Sequence, residues 1–336
     1  MFTIIELLLS AAAIVVAAAL FTNAIEILGE RLNLGAGAVG SILAAVGTAL
    51  PETMIPVVAI VVSLFTGASA AGDIGVGAIL GAPFLLATLA MFVVGIAVWS
   101  YQRRRESGDT VTVDVGTAKR DTLYFLGLYS LGAAAGILPL PFYAKVVLAI
   151  ALVAAYVLFI RQTVKADVET EGDLPENLTL WPSSSEAPTW AVAAQVVGTI
   201  AVMAVGAHFF VSALEHLSKS VGVPAGLIAL VLAPLATELP EKFNSVIWLR
   251  RNKDTLALGN ITGAMVFQSS IPVALGLAFT DWTLDSLNIF SVTLALLGGA
   301  YLYVLLRREK PIEGEHLLVG GVLYAAFVAA AIFAIV

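Results

Sequence analysis

Two short stretches carry the residues that could do chemistry. Gly47-Thr48-Ala49-Leu50-Pro51-Glu52 and Ala236-Thr237-Glu238-Leu239-Pro240-Glu241 each set a proline directly before a carboxylate, inside a long apolar run. A carboxylate at membrane depth costs about 2.5–3.5 kcal/mol on insertion scales. A chain that does this twice is built to hold a cation there. Proline has no N–H, so it removes the helix partner of the carbonyl four residues back. Pro51 thereby releases the carbonyl of Gly47, and Pro240 that of Ala236. Pro56 releases Glu52, and Pro234 releases Leu230. Free carbonyls at that depth persist only where they line a cavity or find other partners. Carbonyl, hydroxyl and carboxylate oxygens are what a hard cation takes; calcium gathers about 6–8 of them at about 2.3–2.6 Å. The competing reading is a pair of proline kinks with hydrogen-bonded acids between helices.

The two stretches belong to a duplication. At an offset of 189 residues (241 minus 52), Phe21, Ala24, Glu26 and Leu28 meet Phe210, Ala213, Glu215 and Leu217. Ala36-Gly37 meets Ala225-Gly226, and Leu43-Ala44 meets Leu232-Ala233. Thr48, Leu50, Pro51 and Glu52 meet Thr237, Leu239, Pro240 and Glu241. So many identities at one offset mark an internal repeat.

Other polar residues are candidates by position. Glu238 lies three residues before Glu241, so both reach similar faces of a helix. It either adds a third carboxylate or pairs with Lys242 at i+4; Lys242 would then tune the local field. Asn244 and Ser245 follow one turn later as possible lining of an exit path. Gln268 and Asn260 are candidate neutral ligands, and Pro272 releases the Gln268 carbonyl. His208 sits mid-span with Ala19 as its repeat mate. It reads first as a packed residue and second as a proton-sensitive group near gating helices. Glu26 and Glu215 are repeat mates near span ends, best read as interfacial.

These residues need a membrane scaffold. The chain has 336 residues, of which 60% are hydrophobic and 12% charged, with mean hydropathy +0.97, the composition of a polytopic membrane protein. Having no cysteine, it has no disulfide, thiolate metal site or cysteine nucleophile. The N-terminal stretch lacks a basic region and reads as a first span rather than a signal peptide. About 20 apolar residues cross a bilayer. That rule gives ten spans, near 4–29, 36–65, 73–100, 120–138, 141–161, 189–217, 223–249, 256–280, 286–306 and 315–335. Of the 17 lysines and arginines, 14 follow odd-numbered spans or share their loops, which places both termini outside. Five spans per half then require the second half to be inserted upside down. The expected fold is all-α and integral to the membrane: ten transmembrane helices as two inverted five-helix repeats. The first repeat covers 1–161, a cytoplasmic linker 162–188, and the second repeat 189–336. Inverted repeats with a site at their midplane interface are an architecture of secondary transporters. The Asn177-Leu178-Thr179 sequon falls in the linker, facing the cytoplasm.

Gly-Thr-Ala-Leu-Pro-Glu at 47–52 and Leu258-Gly259-Asn260-Ile261-Thr262-Gly263-Ala264 resemble the α-repeats of the cation/calcium exchanger superfamily, in particular its prokaryotic sodium/calcium antiporters. The resemblance runs over both halves. It implies Glu52 and Glu241 as paired calcium ligands, helped by hydroxyl or backbone oxygens of Thr48 and Thr237. It also implies that spans 2, 3, 7 and 8 form the ion-binding core and that spans 1 and 6 slide across it. This chain departs from the family in carrying Ala49 and Glu238 where serine is usual. In the first repeat the polar positions read Ala78, Ala82, Pro83 and Leu86; the second has Asn260, Ala264, Met265 and Gln268 at the matching places. One half of the site has lost side-chain polarity.

The function expected is a secondary antiporter of the cell membrane that exchanges Ca2+ for a monovalent cation by alternating access. Sodium is the default that the resemblance implies. The lost serine and asparagine ligands and the added Glu238 support protons as the rival counter-ion. A passive cation channel is a further alternative. An enzyme is not expected: the chain has three scattered histidines and no His-x-x-x-His metal motif. No cofactor and no nucleic acid are called for; the partners are Ca2+, monovalent cations and the lipid bilayer.

Overall fold

The computed structural model describes residues 2–31, 44–166, 177–181, 186–308 and 310–335; within these, the side chains of 29–30, 44–48, 164–166, 239–244 and 335 fall outside the description. Long apolar runs make long helices. They are α1 (Phe2–Arg31), α2 (Ala44–Thr66), α3 (Ser69–Leu85), α4 (Met91–Tyr101), α5 (Val115–Ile137) and α6 (Phe142–Ala166) in the first half. The second half holds α7 (Thr189–Val221), α8 (Ala225–Arg250), α9 (Asp254–Gln268), α10 (Ile271–Phe279), α11 (Ser286–Arg307), the short α12 (Gly314–Leu317) and α13 (Val319–Ile335). Among the described residues, eight helical segments are long and apolar enough to cross a membrane. Helices α5 and α8 occupy the two further expected spans. The start of the expected span 36–65 lies outside the described residues. Among the described residues, the exception to helix is a two-residue antiparallel pairing, β1 (Thr110–Val111) with β2 (Ile312–Glu313), at the arginine-rich end.

Two expected spans are not continuous α-helices, and both are interrupted at the same place. In 73–100, a π-helical turn, Leu86–Ala90, joins α3 to α4. In 256–280, α9 stops at Gln268 and α10 starts at Ile271. The stretch Gly77–Ala82 matches Gly259–Ala264 at an offset of 182 (259 minus 77), and that offset carries Leu86 onto Gln268. The hydroxyls follow the same symmetry. Thr88 donates to the Phe84 carbonyl and Ser270 to the Val266 carbonyl. Such i−4 back-bonds and π-turns loosen the regular ladder, and π-turns gather at functional sites.

Small residues bring the two halves together. Helices α3 and α8 cross so closely that a Cβ at Gly77 would overlap the Gly226 carbonyl, and one at Gly81 the Leu230 carbonyl. Leu230 is four residues before Pro234, so its carbonyl lacks the usual amide and faces the Gly81 Cα instead. The backbone contact is possible because no side chain stands between the helices.

The described part of the expected linker is docked on α1. Asn23 of α1 donates to the Asn177 carbonyl at 3.1 Å and accepts from the Thr179 N–H at 2.8 Å. Leu178 and Ala187 are buried against Ala24, Ile27 and Val192.

Candidate functional site

Helix α2 brings its Pro51–Glu52 pair against the end of α9. Gln268 Nε2 donates to Glu52 Oε2 at 3.2 Å, across 216 positions of sequence. Gln268 is buried at 2% exposure, while Glu52 is half-buried. The contact depends on the interruption after Gln268, which ends α9 where its last side chain meets α2. At the matched place in the first repeat stands Leu86, fully buried and apolar. At this matched position the polar side chain therefore belongs to the second repeat.

The prolines sit inside their helices. Pro51 and Pro56 lie within α2, and Thr53 Oγ1 donates to the Ala49 carbonyl at 2.7 Å. In α8, Thr237 is buried and its Oγ1 donates to the Ala233 carbonyl at 3.1 Å. Glu238 is fully buried at 0% exposure. Ionised carboxylates are almost never buried without a compensating charge or donor.

The remaining expected residues divide. Gly47 lies in α2 and Ala236, half-buried, in α8, each four residues before a motif proline. Asn260 is half-buried on α9. The side chains of Thr48, Glu241, Lys242 and Asn244 lie outside the described residues, so the proposed Glu238–Lys242 pairing does too. Ser245 is buried and its Oγ lies 3.5 Å from the Ala257 carbonyl, tying α8 to α9. His208 is exposed on α7 beside the ring of Phe209, centroids 5.9 Å apart. Glu26 and Glu215 are half-buried.

Sequence reasoning missed two buried acid–base groups near the arginine-rich end. Arg105, read as a topology determinant, forms an ion pair with Asp254 at the start of α9; their side chains are 0% and 2% exposed. Asp254 Oδ2 also accepts from the Thr112 N–H at 2.9 Å, and the neighbouring Asn252 Oδ1 from the Glu106 N–H at 3.1 Å. The second group is Asp121, which accepts from Arg120 at 3.0 Å and from the Thr262 hydroxyl of α9 at 3.0 Å. Its signal was legible: a carboxylate one residue inside an expected span needs a partner.

A cavity of about 830 Å3 opens at the opposite end, where α3, α10 and α11 meet. Asp73, Asp281 and Asp285 line it, with Gly226 from the α3–α8 crossing at its wall.

The profile of the family described as "Sodium/calcium exchanger protein" matches residues 2–163 and 191–336. The chain belongs to this family. It is a multi-pass protein of the plasma membrane. The putative antiporter CaxA of Alkalimonas amylolytica is 28% identical over 144 residues, 41% of this chain and 45% of that protein. The match thus spans less than half the length of CaxA. An uncharacterized membrane protein of Methanocaldococcus jannaschii, MJ0091, is 23% identical over 257 residues, 76% of this chain and 74% of that one. Among solved structures, the H+/Ca2+ exchanger CAX has a TM-score of 0.70 at 17% identity, covering 97% of this chain and 81% of that one. The sodium-calcium exchanger NCX_Mj, soaked with Na+ and Sr2+, has a TM-score of 0.57 at 18% identity, covering 98% of both. At those identities the likeness is one of fold.

Proposed function

We propose that this chain is an antiporter that moves Ca2+ in exchange for a monovalent cation, at a site between the two Pro–Glu motifs. The Gln268–Glu52 contact carries the reading. It joins a carboxylate of one repeat to a neutral oxygen-bearing side chain of the other, at the point where the second repeat's helix is interrupted. Glu52, Gln268, Thr237, Glu238, Glu241, Thr48 and Asn260, with the carbonyls of Gly47 and Ala236, are the donor set of the site. Two or more carboxylates suit a divalent ion, and the ten spans, arranged as inverted repeats of 1–161 and 189–336, suit alternating access. In this reading α1 and α7 slide across a core made of α2, α3, α8 and α9, and the acidic cavity is the ion's vestibule.

Two counter-ions are in play, and the apolar first repeat favours protons. The cost of a charge at 0% exposure is relieved by a protein partner, a bound cation or a proton. The first repeat offers Ala78, Ala82 and Leu86 where side-chain ligands for sodium would be needed, and all three are buried and apolar. Sodium, which the family resemblance implies, would have to be held by backbone oxygens and the second repeat. The CAX likeness fits the proton reading, and the NCX_Mj likeness fits sodium.

The test is mutational. Glu52→Gln and Glu241→Gln are each expected to abolish calcium flux in proteoliposomes while the purified protein stays monodisperse. Flux retained by both variants contradicts the site.

A further inference from the structure

We propose that a groove between α1 and α7 holds one acyl chain of a phospholipid whose headgroup bears an amine, with the Glu6 carboxylate accepting from that amine. This inference stands apart from the ion-exchange reading. The two helices pack against each other from Ile27 and Val192 up to the level of Gly206, where a Cβ would lie 3.0 Å from Ile14 Cγ1 and 3.4 Å from the Ser10 carbonyl. Alongside that contact, residues 2–13 of α1 and 201–209 of α7 enclose a groove of about 590 Å3. That volume falls within the range of about 300–1,000 Å3 common for ligand pockets.

Position identifies the occupant. Leu9, Val205 and Phe209 line the groove and are 66%, 56% and 51% exposed. On helices that cross a membrane, such exposed apolar residues face hydrocarbon. At about 1.5 Å per residue, residues 2–13 rise about 17 Å. That is close to the depth of one leaflet, half of a hydrocarbon core about 30 Å thick. The groove is therefore as long as an acyl chain of that leaflet is deep, and it runs in the same direction.

Polarity identifies the headgroup. The groove has two polar side chains, and Ser10 is already spent: its Oγ donates to the Glu6 carbonyl at 2.7 Å and lies 3.1 Å from that of Leu7. The Glu6 carboxylate makes no hydrogen bond or ion pair among the described residues. A carboxylate in a span is costly without a partner. An ethanolamine headgroup brings both N–H donors and positive charge to it. A choline headgroup brings charge without an N–H, and a headgroup that is only anionic is repelled.

The full chain, reconstituted in vesicles of equal phosphatidylethanolamine and phosphatidylcholine and extracted in mild detergent, is examined by native mass spectrometry. The expected result is one retained lipid per chain, with phosphatidylethanolamine favoured about tenfold, the ratio of one charge-assisted hydrogen bond. Glu6→Gln keeps a lipid but loses the preference. Val205→Phe and Ala13→Phe, which fill the groove from opposite walls, lose the lipid while their melting temperatures match the parent. The inference is overturned if both filled variants retain lipid as the parent does. A parent that shows no headgroup preference, or that closes the groove by pairing with a second copy, overturns it as well.

Discussion

The buried Arg105–Asp254 pair makes a sharp quantitative prediction. Asp254 opens α9, the helix that ends in Gln268, so the pair sets the start of a helix whose last residue enters the site. Replacing Arg105 by Met keeps the length of the side chain and removes its charge. It leaves Asp254, 2% exposed, with the Thr112 N–H as its remaining partner among the described residues. It also strips donors from the Ser107 hydroxyl and the Thr110 carbonyl, now 3.0 and 3.1 Å from the guanidinium. Breaking one side of a buried pair costs about 3–5 kcal/mol, because the other charge stays buried. Asp254→Asn strands the guanidinium in the same way. Removing both charges at once strands neither, so the double variant is expected to cost less than the sum, with a coupling of about 2–3 kcal/mol. Denaturant unfolding in detergent micelles over the double-mutant cycle measures this. Single losses below about 1 kcal/mol, as for an exposed pair, or strict additivity, would refute the burial argument.

Two further outcomes follow from local geometry. Gly81→Ala must push α3 away from the Leu230 carbonyl and is expected to cost about 1–3 kcal/mol and impair calcium flux. Gly127→Ala in α5, with open space around it, is expected to leave stability unchanged or raise it by up to about 1 kcal/mol; equal effects at the two sites would contradict the crossing. Asp114 caps α5: the Thr117 hydroxyl, with the Thr117 and Gly116 N–H groups, holds its carboxyl below the usual aspartate range despite partial burial. The folded value is lower than the unfolded one, so this stabilisation is whole above about pH 4, the ordinary aspartate value, and is lost as pH falls through the lowered folded value. Asp114→Ala is expected to cost about 1 kcal/mol near neutral pH and to flatten that acid limb, as read from melting temperature against pH. An unchanged limb would remove the cap.

Much of the scaffold was legible because hydropathy and duplication are written residue by residue. Expected spans such as 141–161 and 286–306 coincide with α6 and α11 to within a few residues. The interruptions were less legible. Pro272 was read as releasing the Gln268 carbonyl within one span, and the π-turn at Leu86–Ala90 holds no proline. Pairing across the fold was least legible. Nothing in Arg103-Arg104-Arg105 says which arginine turns inward, because that depends on Asp254, 149 positions away. Gln268 was named as a ligand from its type and place. Its meeting with Glu52 required the tertiary fold. His208 read first as a packed residue, and the fold instead exposes it on α7.

Calcium flux into proteoliposomes, driven first by a pH gradient without sodium and then by a sodium gradient at fixed pH, tests the central claim most directly. The expected result is saturable calcium movement that requires a counter-gradient, is driven by the pH gradient, and is lost in Glu52→Gln. Calcium that runs down its own gradient with no counter-ion would contradict antiport, and calcium driven by sodium but not by the pH gradient would contradict proton coupling.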